Sequence, residues 1–122
     1  DRDAALKNYE QALKLFKDIG DKLGEANVLQ SQGKLFLIIG KSEGGLKLLQ
    51  EALGLYESIG AKSGQFNIYW FLGQIIAANN HPKEAIAPIE QALKILVEIA
   101  PSHPLIHDVE KSLNDVKAKA AN

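Results

Sequence analysis

A chain of 122 residues and 13.3 kDa has the material of one ordinary domain and can bury a core without disulfides or a structural metal. Its 46% hydrophobic and 24% charged residues weigh against wholesale disorder and against a membrane-spanning protein, and 14 basic against 15 acidic side chains leave a net charge of -1 that would not draw it to phosphate backbones, so nucleic acid is not an expected partner. The absence of cysteine removes a disulfide framework, a thiol nucleophile and any cysteine-ligated metal centre.

The first predicted helix covers 2–19, where Leu6, Tyr9, Leu13 and Phe16 recur every three or four residues and form one stripe of a 3.6-residue turn. Gly20 stops it. A second helix is expected over 22–39 before Gly40, and a third over 43–59, with its own stripe of Leu46, Leu49, Leu53 and Tyr56, before Gly60. The fourth, over 62–79, carries Tyr69-Trp70-Phe71 and ends at Asn79-Asn80-His81-Pro82. The fifth, over 83–99, contains Pro88, whose ring removes a backbone bond to Glu84; a kink is expected, at a typical cost of ~3 kcal/mol. After Ala100-Pro101-Ser102 a sixth helix is expected over 103–119. There Leu105, Ile106, Val109, Leu113 and Val116 oppose Glu110, Lys111, Asn114, Asp115 and Lys117, the pattern of a capping helix with a wet outer side. Strand alternation is nowhere sustained, and the short connections require antiparallel neighbours.

The chain opens on Asp1-Arg2-Asp3 and contains no methionine, which leads us to expect a piece of a longer protein. It shows no basic-then-apolar leader, and its apolar runs, such as 35–39, fall short of the ~20 residues of a membrane helix. A soluble, cytoplasmic protein is the expectation.

The helices repeat at an offset of forty residues. Glu10-Gln11-Ala12-Leu13 returns as Gln50-Glu51-Ala52-Leu53 and as Glu90-Gln91-Ala92-Leu93. Tyr9, Leu49 and Ile89 align, as do Phe16, Tyr56 and Leu96, and Ile19, Ile59 and Ile99. A second block repeats in step: Asn27 matches Asn67, and Gly33 matches Gly73.

The small residues Gly33 and Gly73, followed by Gly45 or Ala85 and then by Ala52 or Ala92, resemble the pattern of the tetratricopeptide repeat (TPR). The forty-residue period and the segment Asp18-Ile19-Gly20-Asp21-Lys22-Leu23-Gly24-Glu25-Ala26-Asn27 are similar to the long-helix variant of kinesin-light-chain-like and bacterial signalling proteins. Two departures stand out: Gln32 occupies the place of Leu72, and no proline follows Ala52. The resemblance implies an all-α, right-handed superhelical solenoid of six helices in antiparallel pairs, as one domain over 1–122. Counting A and B as the first and second helix of a repeat, the chain would begin on a B helix at 2–19, hold A-B pairs at 22–59 and 62–99, and end on the capping helix. The opening helix would then lack its A partner, leaving a stripe open to self-association.

Residues that could carry chemistry read better as structure. Gly40-Lys41-Ser42 lacks the preceding glycine and the strand of a phosphate loop, position 35 being leucine. His103 and His107, spaced i, i+4 on the expected last helix beside Asp108, lack a third ligand for a metal. Glu10 with Lys14, Glu43 with Lys47 and Glu90 with Lys94 are i, i+4 pairs worth ~0.2–0.5 kcal/mol each on a solvated helix face. No serine sits in a nucleophile elbow. Neither an enzyme, a cofactor nor a metal site is expected.

Three consecutive aromatics, Tyr69-Trp70-Phe71, sweep about 200° of a helix, wider than the ~100° face a surface helix buries. The resemblance places Tyr69 in packing and Trp70 on the concave side, the alternative being that the capping helix around Ile106 and Glu110 covers Trp70. Carried over from the family, a partner-binding groove would be lined by Asn27, Gln30, Lys34, Asn67, Trp70 and Gln74, with Glu110 and Asn114 as further candidates. Amides both donate and accept, and so suit an extended peptide. Lys34 is the one cation in that set, too few for a clamp on a C-terminal carboxylate. The expected function is recognition of a protein or peptide segment; the alternative is an assembly module or a regulatory domain of a larger signalling protein.

Overall fold

Four of the five interhelical breaks are made by one backbone move repeated every twenty residues. Gly20, Gly40 and Gly60 adopt left-handed φ values of 75°, 88° and 70°, and Asn80 joins them at 64°. In each case the next residue donates its N–H back to a carbonyl five residues earlier: Asp21 to Phe16, Lys41 to Phe36, Ala61 to Tyr56 and His81 to Ile76. This is the double-bonded helix ending that a left-handed residue permits. A helix and its turn therefore fill half of the forty-residue repeat.

The computed structural model describes all 122 residues, and its regular secondary structure is all α-helix, without strands. Its elements are α1 (Arg2–Ile19), α2 (Lys22–Ile38), α3 (Ser42–Ile59), α4 (Lys62–Ala78), α5 (Pro82–Ile99) and α6 (Leu105–Ala121). Asp1 caps α1 by accepting from the Asp3 N–H at 3.0 Å, and Asp21 caps α2 by accepting from Gly24 at 2.9 Å. The last break differs from the others. Ala100 keeps a negative φ of -152° in place of a left-handed one, and α6 starts two residues later than expected because Pro104 disfavours helical backbone at His103. None of the six helices is long and apolar enough to cross a membrane.

The residues gather into two compact units, Asp1–Ala61 with α1 to α3 and Lys62–Asn122 with α4 to α6. In the first, α1 and α3 both pack on α2. The backbones of α2 and α3 close at two glycines: a Cβ added to Gly33 would lie 3.0 Å from the Gly45 carbonyl, and one added to Gly45 would lie 2.9 Å from that of Gly33. Leu29, Leu49, Ala52 and Tyr56 fill the space around that crossing. No residue of α1 is buried; its Phe16 ring lies on the backbone of Gly24, where a Cβ would stand.

In the second unit α4 and α6 both pack on α5. Ala85, Ile89, Ala92, Ile95 and Leu96 of α5 join Phe66 of α4 and Val109, Leu113 and Val116 of α6 in one apolar core. Gly73 repeats the role of Gly33, with the Ile89 side chain where a Cβ would stand. Helix α5 runs unbroken through Pro88.

Two of the expected ion pairs are replaced by others. Lys14 reaches Asp18 at 3.0 Å instead of Glu10, and Glu90 reaches Lys117 of α6 at 3.8 Å instead of Lys94, because helix packing brings the α6 cation alongside. All four side chains are more than half exposed or close to it, so neither pair contributes much.

Candidate functional site

The six residues expected to line a groove fall into two equivalent sets, Asn27, Gln30 and Lys34 on α2 and Asn67, Trp70 and Gln74 on α4, forty residues apart. Spacings of three and four residues keep each set on one helix face.

On α2 that face is tied to α3. The Tyr56 hydroxyl crosses from α3, accepts from the Gln30 amide nitrogen at 2.7 Å and donates to the Asn27 side-chain oxygen at 2.5 Å. Tyr56 is 1% exposed and Gln30 8%, while Asn27 stays open to solvent. Burial pushes the Tyr56 hydroxyl above its ordinary pKa, and the hydrogen bond with Gln30 offsets part of that rise. Gln30 keeps one demand unmet: its buried side-chain oxygen has no hydrogen-bond partner. Gln32 shares this condition, as expected of a polar residue standing where the next repeat has Leu72. One turn beyond Gln30, Lys34 is half-buried, and desolvation holds its ammonium below its ordinary pKa.

On α4 the same face is open. Asn67 and Gln74 are exposed, and Trp70 between them is half-buried, packed together with Tyr69 against the core of the second unit. The indole therefore keeps one side in the core and the other in water. Cavities lie at either end of this face. One, of 460 Å³, is lined by Ser63, Asn67 and His103 together with Phe66, Leu96 and Leu105. The other, of 260 Å³, runs from Gln74 to Asp115 and Lys119 of α6 over Ile89. Glu110 and Asn114 are exposed on α6 and line neither cavity. A further hollow on α1 is walled by residues of that helix alone, so it brings no groups together from different elements.

The histidine pair is not a pair on one helix. His103 precedes α6, and its Nδ1 accepts the Leu105 N–H at 3.0 Å, while His107 lies inside the helix. No group of three His, Cys, Asp or Glu side chains comes together to hold a metal ion. Gly40-Lys41-Ser42 is a helix end followed by a helix start, with the Lys41 ammonium 5.5 Å from the Phe36 ring centre.

Two features of the site escaped the sequence reading. Tyr56 was legible only as a member of the apolar stripe, although its hydroxyl is what organises Asn27 and Gln30. His103 was read as a helix residue, although it borders a cavity. The signal for Tyr56 lay in the alignment at forty residues, which puts a hydroxyl there and none on Phe16 or Leu96, and that for His103 in the proline that follows it.

The chain matches no family model, no curated protein and no solved structure.

Proposed function

We propose that this chain is a stretch of TPR-type repeat, a right-handed solenoid of antiparallel helix pairs, that acts as a cytoplasmic, non-enzymatic scaffold and binds a peptide or protein segment. The observation that carries the reading is the open face of α4. A half-buried tryptophan stands between two exposed amides, with a cavity at each end. Such a face supplies an apolar anchor point together with donors and acceptors for an extended backbone. Aromatic anchors of this kind typically cost ~2 kcal/mol or more of binding when truncated.

The test uses a random peptide library selected against the 122-residue chain, with binding followed by isothermal titration calorimetry, which reads the wild type and a tryptophan-free variant alike. Selected peptides should bind the wild type and lose about thirtyfold in affinity to Trp70→Ala, equivalent to the anchor energy above. Circular dichroism first establishes that the variant is folded. Unchanged affinity in a folded Trp70→Ala protein would remove α4 as the binding face.

A second reading, an assembly module or a regulatory domain within a larger signalling protein, is favoured by α1. That helix buries none of its residues, and Leu15 and Ile19 are 57% and 64% exposed. Particle size that grows with concentration in light scattering, and falls back on Leu15→Lys with Ile19→Lys, is the outcome expected of assembly through this helix.

A further inference from the structure

Several internal positions differ between the two units, among them Ala26 against Phe66, Gln30 against Trp70 and Tyr56 against Leu96, and the last of these leaves a space of definite chemistry. In the first, the Tyr56 ring is buried against α2 and its hydroxyl is held by Asn27 and Gln30. Forty residues on, Asn67 repeats Asn27, but Leu96 stands for Tyr56 and Trp70 for Gln30. A leucine side chain stops short of where a phenol reaches and carries no hydroxyl, so the group that Asn27 holds has no counterpart beside Asn67. The 460 Å³ cavity opens at this place, bordered by Leu96 and Asn67 together. Its volume lies within the ~300–1,000 Å³ of ordinary ligand sites.

We infer that this cavity receives a tyrosine side chain from the bound segment, with its ring against Phe66, Leu96 and Leu105 and its hydroxyl on Asn67. The contact would be an intermolecular copy of the Asn27–Tyr56 bond, and the inference rests on the reading of this protein as a peptide-binding module. The lining selects the occupant. An aliphatic side chain would cover the polar groups of Asn67, Ser63 and His103 without pairing them. A carboxylate would give up water to lie against three apolar walls. A phenol has an apolar body and a polar tip, which matches a lining that offers Phe66, Leu96 and Leu105 together with the polar groups of Ser63, Asn67 and His103. His103 fits the same account: with Nδ1 accepting from Leu105, the neutral ring carries its proton on Nε2, so this lining residue adds a second donor to the amide of Asn67.

The probes are N-acetyltyrosinamide and N-acetylphenylalaninamide, which differ only in the hydroxyl, titrated into the isotope-labelled 122-residue chain and followed by amide chemical shifts. Shifts are expected to concentrate at Ser63, Asn67, Ile99 and His103, with the tyrosine probe binding roughly five- to tenfold more tightly, the worth of one net hydrogen bond. Asn67→Ala should bring the two probes to equal affinity. Leu96→Tyr, which installs the phenol internally, should abolish binding of both. Equal affinities on the wild type, a preference that survives Asn67→Ala, or shifts scattered away from the cavity would each overturn the inference. Peptides that depend on Trp70 but carry no tyrosine, with no probe bound, would overturn it while leaving the binding-module reading intact. Probe binding at the cavity with no selectable peptide would do the reverse, retaining the site and removing the module reading.

Discussion

Helices α1 and α6 are the outer helices of their units, and they meet the core on different terms. Each carries apolar residues at three- and four-residue spacing, Leu6, Tyr9, Leu13 and Phe16 in one and Val109, Leu113 and Val116 in the other. On α6 all three are buried in the core of the second unit, yet on α1 none is buried. The difference lies in what the neighbouring helix offers. Helix α5 presents Ile89, Ile95 and Leu96, large side chains that interlock with valine and leucine. Helix α2 presents Gly24 to Phe16, a ring lying on bare backbone. Amphipathic periodicity thus specifies a stripe, while the facing helix decides whether the stripe becomes core.

The comparison breaks most visibly under truncation. Leu113→Ala removes side-chain volume from a closed core and should cost about 2–5 kcal/mol in denaturant unfolding. Leu13→Ala on α1, where the leucine is half-exposed, should cost less than about 1 kcal/mol. Amide hydrogen exchange should follow the same order, with α1 exchanging through local opening and the amides of α5 only near global unfolding. Equal costs at Leu13 and Leu113 would show that α1 is as well seated as α6.

A smaller effect separates the polar first unit from the apolar second. Tyr56→Phe keeps the ring and deletes the hydroxyl, leaving the buried Gln30 nitrogen without its acceptor, at about 1–3 kcal/mol. The same variant changes the response to alkali. Burial raises the Tyr56 pKa in the folded state above its ordinary value of 10.0, so its contribution is complete below about pH 10 and is lost as pH rises through the folded value. Lys34 acts in the opposite sense: desolvation depresses its folded pKa below 10.5, so its contribution is complete above that value and is lost as pH falls through the depressed one. Unfolding midpoints measured between pH 8 and pH 11 should therefore fall less steeply in Tyr56→Phe than in the wild type. An identical slope would mean that the hydroxyl titrates alike in both states.

The helices and their ends were legible because they depend on local chemistry. A glycine every twenty residues marks a left-handed ending, and Asn80 takes the fourth such place as a residue that tolerates that backbone. Helix α6 starts two residues later than periodicity alone places it, because Pro104 restricts the backbone of His103. What could not be read was the content of the sites. The partners of Tyr56 lie 26 and 29 residues away, and periodicity within one helix says nothing about a hydroxyl that reaches another. The half-burial of Trp70 likewise depends on how tightly α4 and α6 close over α5. Three aromatics in a row imply only that one of them must leave the packed face.

The smallest expected effect concerns α3 and α5, which occupy equivalent places in the repeat and differ, among other positions, in having Pro88 where α3 has Leu48. Both residues are half-buried, and both helices run without a break. Proline has no N–H, so the Glu84 carbonyl loses the bond that Leu48 makes possible at the equivalent place in α3. Because α5 remains continuous, its backbone has already accommodated the ring, and because Glu84 is exposed, water can serve its carbonyl. The gain from Pro88→Leu should accordingly lie near the lower end of a net hydrogen bond, about 0.5 kcal/mol, and appear as a rise of a few degrees in Tm. A flat or lowered Tm would mean that the pyrrolidine ring fills its place on α5 better than leucine does, and the difference between the two helices would then be one of packing shape instead of a lost backbone bond.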